Sequence, residues 1–325
     1  MRLITLDDFI DTYFKILQRG SGFFFSKFNF NKEKRIKSAF DNTSFISSNV
    51  WSIPKVLERW NILISGHKEM NYIDFLTSDF LKGKNKLRLL SLGSGISNRE
   101  IDLAQHTSIF KEVVCIDIAD NLLKIASKSA KEKNLTNIKF ITKNIDHCEF
   151  KENDFDIVFF KASLHHFDKI EPFLSGKIQK TLKPNGFLII NEFVGKTRQQ
   201  FSKNQILAIN KAIHLIPKKY RTRFKSNLHK NKYRGVGLLR MIVADPSECI
   251  DSSSIMPSIH KNYRTIIEKP YGGNLLLSAL RDISHHFYEL DTEKEKVLND
   301  LFLFEDVYLE NNQSDFVFGI YGNKK

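Results

Sequence analysis

A glycine turn at Gly93-Ser94-Gly95 is the first feature of the 325-residue sequence whose residue types could do chemistry. Glycine lets the backbone turn tightly and approach a ligand closely, and the N–H groups of the helix predicted after it can bind a polar or anionic group. Asp117 ends the next apolar run, where a carboxylate can accept hydrogen bonds from both hydroxyls of a ribose. This order of strand, turn, helix, strand and acid predicts half of a doubly wound nucleotide-binding fold.

Two adjacent histidines and a glutamate supply candidate catalytic groups. His165 and His166 follow an apolar run that begins at Phe155, and Glu192 lies in the next apolar run. Ligands of parallel sheets bind at the carboxyl ends of the strands, and histidine is suited to general-base work near neutral pH. We therefore predict His165 or His166 as a base, with Glu192 as the other candidate. The alternative for the histidines is that they only shape the pocket.

Two further polar features are interpreted as structural. The pair His285-His286 lies on a predicted helix, and neither histidine pair has the nearby acids and spacing that a metal site requires. No metal site is therefore predicted. The turn Asp245-Pro246-Ser247-Glu248 is interpreted as a helix cap, with contact to a substrate as the less favoured alternative.

The elements that must position these residues alternate between strands and helices. Apolar runs at 87–92, 113–116, 138–142, 155–160 and 187–193 are predicted as strands, and helical patterns separate them. Strands that are apolar throughout are typical of a parallel sheet covered on both faces. The pattern then resumes with strands at 263–270 and 315–323 and with helices at 274–290 and 293–310. The fold is therefore predicted to be α/β.

Two helical parts accompany this sheet. Residues 1–85 are predicted to be a helical N-terminal extension, and residues 86–325 a single domain interrupted by a helical insert at 196–245. Five phenylalanines at 20–31 are predicted to pack on the domain, with contact to a membrane surface as the alternative. The sequence contains no run of about 18 apolar residues, so no membrane span is predicted. The acids near the N-terminus also argue against a secretory signal peptide.

The net charge of +13 is concentrated in one basic segment. Between Lys196 and Arg240 there are 13 Lys and Arg residues and no Asp or Glu. The segment could be a solvated helix face or an RNA-binding surface with Tyr220, Phe224 or Tyr233 stacking on bases. It could also attract a phosphorylated or membrane-anchored substrate. Its place inside the α/β region, with no recognised RNA-binding module attached, favours the substrate interpretation.

The glycine turn distinguishes between two classes of cofactor. A nicotinamide or flavin fingerprint, G-x-G-x-x-G, would need a glycine where Asn98 stands. The pattern acid-x-G-x-G-x-G, whose ligand is S-adenosylmethionine, is matched at two of its three glycines. Ser91 takes the place of the acid and Ser97 that of the last glycine. The turn therefore favours S-adenosylmethionine over a dinucleotide.

With these elements in place, the chain resembles the class I S-adenosylmethionine-dependent methyltransferases. The resemblance rests on LSLGSGIS with Asp117 downstream, on Asn144-Ile145 after the third strand, and on the stretches FDIVFFKASLHHF and LKPNGFLIINEF. It implies a Rossmann-like, seven-stranded sheet that is mostly parallel with an antiparallel final strand. It also implies S-adenosyl-L-methionine as the cofactor. A non-catalytic binding protein with the same fold is the alternative.

The resemblance also implies which residues hold the cofactor. Gly93-Ser94-Gly95 would face its methionine part, and Asp117 its ribose, with Ile118 beside the adenine. At Asn144-Ile145, the amide oxygen would accept a hydrogen bond from the adenine amino group in place of the usual acid, and the isoleucine would pack on the adenine face. Lys161, at the end of the fourth strand, would lie beside the transferred methyl group.

A narrower resemblance covers more of the chain. The stretches ERWNILISG, NEFVG with LIPKKYR, ADPSECIDSSSIMP and EKPYGGNLLL are similar to a bacterial methyltransferase subgroup that often accompanies glycan or surface-polysaccharide assembly genes. This implies O-methylation of a sugar, a glycan-linked metabolite or another small molecule, predicted to be anionic, with RNA methylation as the alternative. Three cysteines without short spacing suit a reducing compartment, so the predicted localisation is cytoplasmic.

Overall fold

A single seven-stranded sheet organises the computed structural model, which describes residues 1–19 and 48–324. The phenylalanine cluster at 20–31 lies outside the described residues. The strands are β1 (Leu87–Leu92), β2 (Phe110–Asp117), β3 (Ile138–Thr142), β4 (Phe155–Lys161), β5 (Leu182–Phe193), β6 (Tyr263–Gly272) and β7 (Phe316–Asn323). Their order is β3-β2-β1-β4-β5-β7-β6; β1 to β5 are parallel, and β7 is antiparallel to both its neighbours. The predicted mostly parallel sheet with an antiparallel final strand is confirmed.

Helices cover both faces of this sheet. They are α1 (Leu6–Arg19), α2 (Pro54–Ser65), α3 (Tyr72–Phe75), α4 (Asn98–Ala104), α5 (Asp120–Glu132), α6 (a helical segment over 170–181), α7 (Lys203–Leu215), α8 (Leu238–Ala244), α9 (Ile255–Asn262), α10 (Leu276–Leu280) and α11 (Thr292–Leu309). A π-helical stretch, Leu76–Phe80, continues α3, and α6 has a π-helical centre, Phe173–Ile178. Short 3₁₀ turns include Ile145–His147, Leu164–His166 and Lys218–Tyr220.

Successive side chains of a strand point alternately into two cores, so the strands are buried on both faces. On β4, Ile157 and Phe159 belong to one core, whereas Val158 and Phe160 belong to the other, and all four are fully buried. A period of two is the geometry of an extended strand, and apolar residues on both faces require helices on both sides. This burial explains why the strands read as continuous apolar runs in the sequence.

The strand order reverses between β1 and β4, and this places the candidate residues. The chain goes outward from β1 to β2 and β3, and then returns to β4 on the other side of β1. At such a switch point the loops after neighbouring strands separate and leave a crevice at the carboxyl edge of the sheet. The glycine turn after β1 and the histidine pair after β4 therefore lie at the same crevice.

The N-terminal helices differ in what they contact. Helix α2 begins at Pro54, which suits the first turn of a helix, and is followed by Gly66, whose left-handed φ of +85° caps its C-terminus. Its buried Trp60 belongs to the same core as β1. Helix α1 instead contacts the insert: Asp8 Oδ1 accepts hydrogen bonds from the Gly237 N–H and Arg240 Nε. No helix among the described residues has the length and apolar character needed to cross a membrane.

One predicted helix is broken in the structure. The continuous helix predicted at 274–290 is wrong, because α10 ends at Leu280 and a separate 3₁₀ turn follows at Ser284–Phe287. Between them Asp282 has a φ of +67°. The buried Lys230 ammonium donates to the carbonyl oxygens of Ser278 and Arg281, 2.6 Å away in each case. Contacts with the insert therefore satisfy carbonyls that a longer helix would have used.

A buried acid before β7 gives a testable pH dependence of stability. Asp315 is 5% exposed, and burial raises its pKa to about 7, whereas an unfolded aspartate titrates near pH ~4. The folded state therefore binds this proton more tightly, and its stabilising contribution is lost as the pH rises through about 7. We expect Asp315→Asn to keep the hydrogen bond from Gln205 Nε2 and to remove the penalty of ionisation.

Urea unfolding of Asp315→Asn and of the wild type measures this effect. The variant's advantage in free energy of unfolding should grow by up to about 3 kcal/mol between pH ~5 and pH ~8, at 1.36 kcal/mol per pKa unit. Asp79→Asn, at an exposed position, is the matched control and should show no such growth. A pH-independent difference for Asp315→Asn would show that Asp315 is ionised in the fold at both pH values.

Candidate active site

One cavity brings together all eight residues that the sequence resemblance assigned to the cofactor. It has a volume of about 470 Å³ and lies at the carboxyl edge of β1, β2 and β4. Its lining includes each of the predicted residues: Gly93, Ser94, Gly95, Asp117, Ile118, Asn144, Ile145 and Lys161. The same cavity is also lined by His166 and by Ser247, from a distant part of the chain. A cofactor-sized crevice is therefore present where the strand order reverses.

The glycine turn is held in a conformation that few other residues adopt. Gly93 has a φ of +71° and Gly95 a φ of +53°, in the left-handed region that glycine enters without steric cost. A Cβ at Gly93 would lie 2.7 Å from the Cβ of Ser163, in the loop after β4. The absence of a side chain at Gly93 thus lets the β1 and β4 loops touch, which forms the floor of the cavity.

Asp117 connects this turn to the start of the next helix. Its Oδ2 accepts a hydrogen bond from the Gly95 N–H and its Oδ1 one from the Ala119 N–H, both at 2.8 Å. The side chain is 8% exposed and lines the cavity. Each carboxylate oxygen has a further acceptor site beyond the bond it already makes. Asp117 therefore orders the glycine turn and keeps capacity to bind hydroxyl groups of a ligand.

Glu100 is a buried acid beside the glycine turn that the sequence argument missed. It lies on α4, is 3% exposed, and its Oε1 accepts a 2.7 Å hydrogen bond from the hydroxyl of Ser91. Burial raises the pKa of Glu100, while the Ser91 hydrogen bond and the charge of Lys161 act in the opposite direction. Ser91, which replaces the acid of the glycine motif, thus contacts a carboxylate supplied from the following helix. Ser91, a polar residue between the apolar Leu90 and Leu92, was the available signal.

The end of the cavity near β3 carries the predicted adenine contacts. Asn144 begins the 3₁₀ turn after β3, and its Oδ1 accepts a 3.0 Å hydrogen bond from the Asp146 N–H. The amide oxygen has a second lone pair, so the capping bond does not exhaust its acceptor capacity. Ile145 beside it is 8% exposed and lines the cavity, which provides an apolar surface next to a hydrogen-bonding group.

Glu192 lies below the histidine pair and holds it in place. The Glu192 side chain is fully buried; its Oε1 accepts hydrogen bonds from the N–H groups of Ser163 and Leu164, and its Oε2 lies 2.8 Å from His165 Nδ1. Burial would lower the pKa of His165, but the Glu192 carboxylate outweighs it and raises that pKa above its ordinary value. These contacts give Glu192 the geometry of a positioning residue, because it does not line the cavity.

His166 is the histidine that lines the cavity, and a cluster of polar groups surrounds it. Its Nδ1 lies 3.1 Å from the Ser247 hydroxyl, its Nε2 lies 3.8 Å from Glu248 Oε2, and Asp245 lies on the Nδ1 side at 3.8 Å. Burial, followed by the neighbouring charge of His165, lowers the pKa of His166. The lowered pKa favours the neutral imidazole, which can accept a proton or bind a cation.

The turn 245–250 is a part of the site that sequence reasoning ranked as structural. Its Ser247 and Ile250 line the cavity, and its backbone carbonyls at Pro246 and Glu248 accept hydrogen bonds from the Arg198 guanidinium. The turn lies about 80 residues after His166 in the chain, and no local pattern indicates that they meet. Asp245 accepts a hydrogen bond from the Ser247 N–H, but it follows the end of α8, and the next helical turn begins only at Ser252. The predicted helix cap is therefore wrong, and the substrate alternative stays a prediction.

The basic segment is partly neutralised by acids from elsewhere in the chain. Ion pairs join Arg223 to Asp282, Lys219 to Glu293, Arg234 to Asp7, and Arg240 to Asp8 and Asp11. Lys230 is buried, and burial lowers its pKa to about 7. Lysines at 203, 211, 218, 225 and 232 are exposed. Fewer positive charges are therefore available to a ligand than the 13 Lys and Arg residues of the segment suggest, and these exposed lysines carry most of them.

Comparison with known proteins finds similarity to methyltransferases over part of the chain. Residues 83–234, just under half of the chain, match the family described as "Methyltransferase domain". The demethylmenaquinone methyltransferase of Geobacillus sp. (strain WCH70) is 25% identical over 162 residues, which are 50% of this chain and 64% of the relative. The ubiquinone/menaquinone biosynthesis C-methyltransferase UbiE of Stutzerimonas stutzeri (strain A1501) is 27% identical over 117 residues, 36% of this chain and 45% of that protein.

A third relative is the uncharacterized methyltransferase YcgJ of Bacillus subtilis (strain 168). It is 23% identical over 107 residues, which are 33% of this chain and 41% of the relative's length. The chain thus spans about half the length of the curated relatives it matches. Among solved structures, phosphoethanolamine N-methyltransferase 2 of Haemonchus contortus, in complex with S-adenosyl-L-methionine, has a TM-score of 0.50 and 16% identity. That match covers 89% of this chain and 60% of the other, and the likeness shows a shared fold.

Proposed function

We propose that this chain, which is a class I S-adenosylmethionine-dependent methyltransferase, methylates a hydroxyl oxygen of a small anionic molecule. The observation that carries the proposal is the polar cluster at the cavity, in which His166 lies 3.8 Å from Glu248 and its ring contacts that of His165, which Glu192 holds. A hydroxyl must lose its proton to become a good nucleophile, and this cluster offers a proton acceptor where the cavity meets β4. The relatives named above are C- and N-methyltransferases by name, so the acceptor atom is part of the proposal.

The residues of the cavity fit the cofactor. A bound S-adenosylmethionine supplies a methyl group on a sulfonium, which a nucleophile can displace in line. In our proposal, Asp117 binds the ribose hydroxyls, and the backbone of the glycine turn lies against the methionine part. Buried Glu100, which accepts a hydrogen bond from Ser91, and exposed Lys161 lie near that turn, and in our proposal they bind the ammonium and the carboxylate of the amino-acid part.

The remaining residues act on the acceptor. His166 takes the hydroxyl proton or binds the oxygen, His165 is fixed by Glu192, and Ser247 orients the His166 ring. Holding the two reacting groups in line is expected to supply several kcal/mol, because the entropy of bringing them together is lost on binding.

The proposed acceptor class is tested by transfer of a labelled methyl group. Purified protein and labelled S-adenosylmethionine are incubated with cell extract, which is then separated into glycan, lipid, small-molecule and RNA pools. Label in the glycan or small-molecule pool, stable to acid as an ether and lost with His166→Gln, supports the proposal. Label confined to RNA would instead establish the basic segment as an RNA-binding surface, and label on carbon or nitrogen would rule out O-methylation.

The exposed lysines of the insert are expected to attract the anionic acceptor. We expect the combined change of Lys203, Lys211, Lys218 and Lys225 to Glu to raise the KM for the acceptor several-fold at low salt and to flatten its salt dependence. The reason is that exposed charges act over about 8 Å at physiological ionic strength and are screened beyond that. Arg223 is left unchanged, because it is buried and paired with Asp282, and reversing it would destabilise the fold.

The matched control changes four exposed lysines on other surfaces to Glu, namely Lys68, Lys82, Lys84 and Lys86. Three of them precede β1 and so lie at the opposite edge of the sheet from the cavity. The control should shift net charge equally and leave the acceptor KM unchanged. Equal effects of the two sets would mean that only net charge matters, and unchanged acceptor kinetics in both would identify the insert as a solvated face.

A further inference from the structure

We propose that His165, His166 and Glu248 bind one divalent transition-metal ion of the zinc class. Each of the three residues offers one ligand atom, and these atoms all lie within 4.8 Å of one another. The two imidazole rings are 4.3 Å apart at their centroids, and His166 Nε2 is 3.8 Å from Glu248 Oε2. The inference rests on the proposed function and deepens it: with the ion bound, His166 would be a ligand, and the ion rather than the imidazole would activate the acceptor hydroxyl.

The orientation of both rings supports a metal site. A metal-ligating histidine almost always uses its other ring nitrogen to hydrogen-bond a carboxylate or another oxygen, which fixes the ring. Nδ1 of His165 is 2.8 Å from the buried Glu192 carboxylate, which leaves Nε2 for a metal. Nδ1 of His166 is 3.1 Å from the Ser247 hydroxyl, which in turn donates to Asp245 Oδ1 at 2.6 Å. On both rings, Nδ1 is therefore hydrogen-bonded to an oxygen, which fixes the orientation of the ring.

Neighbouring side chains also fix the carboxylate of Glu248. Glu248 Oε1 lies 3.2 Å from Cys249 Sγ and 3.3 Å from Gln199 Nε2, and its Oε2 lies 3.8 Å from His166 Nε2. The Arg198 guanidinium fixes the backbone of the same turn through the Glu248 carbonyl. The turn thus presents Glu248 to the histidines without a large rearrangement of the backbone.

The ligand set indicates the class of ion. Two imidazoles and one carboxylate suit Zn²⁺, Fe²⁺ or Co²⁺, whereas Mg²⁺ and Ca²⁺ prefer oxygen ligands alone. Three protein ligands leave the fourth position of a tetrahedral zinc ion open, as catalytic zinc sites do. Because His166 lines the cavity, the open position can face the acceptor. A hydroxyl bound there would lose its proton to solvent at a lower pH, since the ion stabilises the alkoxide.

The second histidine pair resembles the first in ring geometry but does not belong to a group of three potential ligands in the described part of the chain. His285 and His286 have almost the same ring geometry, with centroids 4.0 Å apart and an angle of 37°. Within 1–19 and 48–324, however, the one group of three or more potential ligands is that of His165, His166 and Glu248. The pair at 285–286 is therefore a natural control for binding of metal by adjacent histidines alone.

Metal binding is measured directly on untagged, full-length protein after treatment with a chelator. Co²⁺ is titrated while the visible absorption is recorded, and Zn²⁺ and Mg²⁺ are titrated by calorimetry. We expect one Co²⁺ per chain with the intense visible bands of a four-coordinate site, displacement of Co²⁺ by Zn²⁺, and no binding of Mg²⁺. Absence of stoichiometric binding of Co²⁺ and Zn²⁺, or equal binding of Mg²⁺, would overturn the proposal.

Variants assign the ion to these residues. Glu248→Gln is expected to weaken Zn²⁺ binding about 100-fold or more, and Ser247→Ala, which removes only the support of His166, about 10- to 100-fold. The double variant His285→Gln, His286→Gln should bind as the wild type does. Unchanged affinity in both Glu248→Gln and Ser247→Ala, or loss of affinity in the control, would place the ion elsewhere. If circular dichroism shows that Glu248→Gln is unfolded, Ser247→Ala decides.

The outcome is separable from that of the proposed function. Calorimetric titration of S-adenosylmethionine into the chelator-treated protein tests the cofactor site without the metal, and the metal titration requires neither cofactor nor acceptor. Metal binding with no methyl transfer to any pool would refute the proposed acceptor chemistry and leave the metal site standing. O-methylation by protein that binds no metal would refute the metal site and leave the acceptor chemistry standing.

Discussion

Asp117→Asn is expected to weaken binding of S-adenosylmethionine about 100-fold. The wild-type carboxylate accepts hydrogen bonds from the Gly95 and Ala119 N–H groups and is proposed to accept those of the ribose hydroxyls. An asparagine of the same shape has one acceptor oxygen, and its NH₂ group would face an N–H or O–H donor. Losing two hydrogen bonds to a charged group costs about 3 kcal/mol, which corresponds to about 100-fold in Kd.

Isothermal titration calorimetry of S-adenosylmethionine and of S-adenosylhomocysteine measures this loss. Asp120→Asn is the matched control, because Asp120 lies three residues further on, at the start of α5, and its exposed carboxylate pairs with Lys124. The control should bind as the wild type does. An unchanged Kd for Asp117→Asn, with the fold intact by circular dichroism, would contradict the assignment of Asp117 to the ribose. A cofactor with a nicotinamide ring should bind neither protein.

The second large effect is expected for His166→Gln, which should lower kcat at least about 100-fold. A positioned proton-transfer group contributes about 10²- to 10⁴-fold to a rate, and loss of a metal ligand would be at least as damaging. Glutamine keeps polarity and can still bond Ser247, but it cannot take a proton or hold an ion as an imidazole does. The affinity for S-adenosylmethionine should be unchanged, because the glycine turn and Asp117 remain.

Single-turnover transfer of labelled methyl to the identified acceptor separates this chemical step from binding. His286→Gln is the control, since His286 belongs to the other histidine pair and bonds the Thr222 carbonyl. It should retain the wild-type rate. Full activity of His166→Gln would show that the acceptor loses its proton elsewhere. A parallel loss of cofactor affinity would instead indicate that the loop after β4 had moved.

The contacts of Glu192 in the structure favour a different role from the catalytic one that its position in the sequence suggested. It lies at the carboxyl edge of the sheet, as a base should, but it is fully buried and its oxygens bind Ser163, Leu164 and His165. An acid that already accepts these bonds contributes by orientation rather than by direct contact with an acceptor. Its catalytic assignment therefore stays a prediction, with positioning of His165 as the role that its contacts favour.

The division of the chain at residue 85 also stays a prediction. Trp60 of α2 shares a core with Leu89 of β1, so this part of the extension packs directly on the sheet. Helix α1, by contrast, is joined to the insert by ion pairs of Asp7, Asp8 and Asp11 with Arg234 and Arg240. The acids of the N-terminal segment thus offset part of the charge of the basic segment, which the sequence count treated as a local excess.

The sequence by itself determined the sheet and the group of residues that lines the cavity at its edge. Continuous apolar runs specify strands buried on both faces, and glycine turns and acids at strand ends are local signals that depend on a few neighbouring residues. Because parallel strands all end at one edge, residues at the ends of β1, β2, β3 and β4 must converge there. The eight predicted cofactor residues from Gly93 to Lys161 accordingly line one cavity.

Only the tertiary structure decided what surrounds the reacting groups. The contact of His166 with Ser247, the bond of Ser91 to Glu100, and the neutralisation of Arg240 by Asp8 each join residues that no local pattern pairs. The break after α10 has the same origin, since Lys230 from the insert satisfies its last carbonyls. Such contacts depend on how loops pack over the edge of the sheet, and packing between distant segments leaves no periodic trace in the sequence.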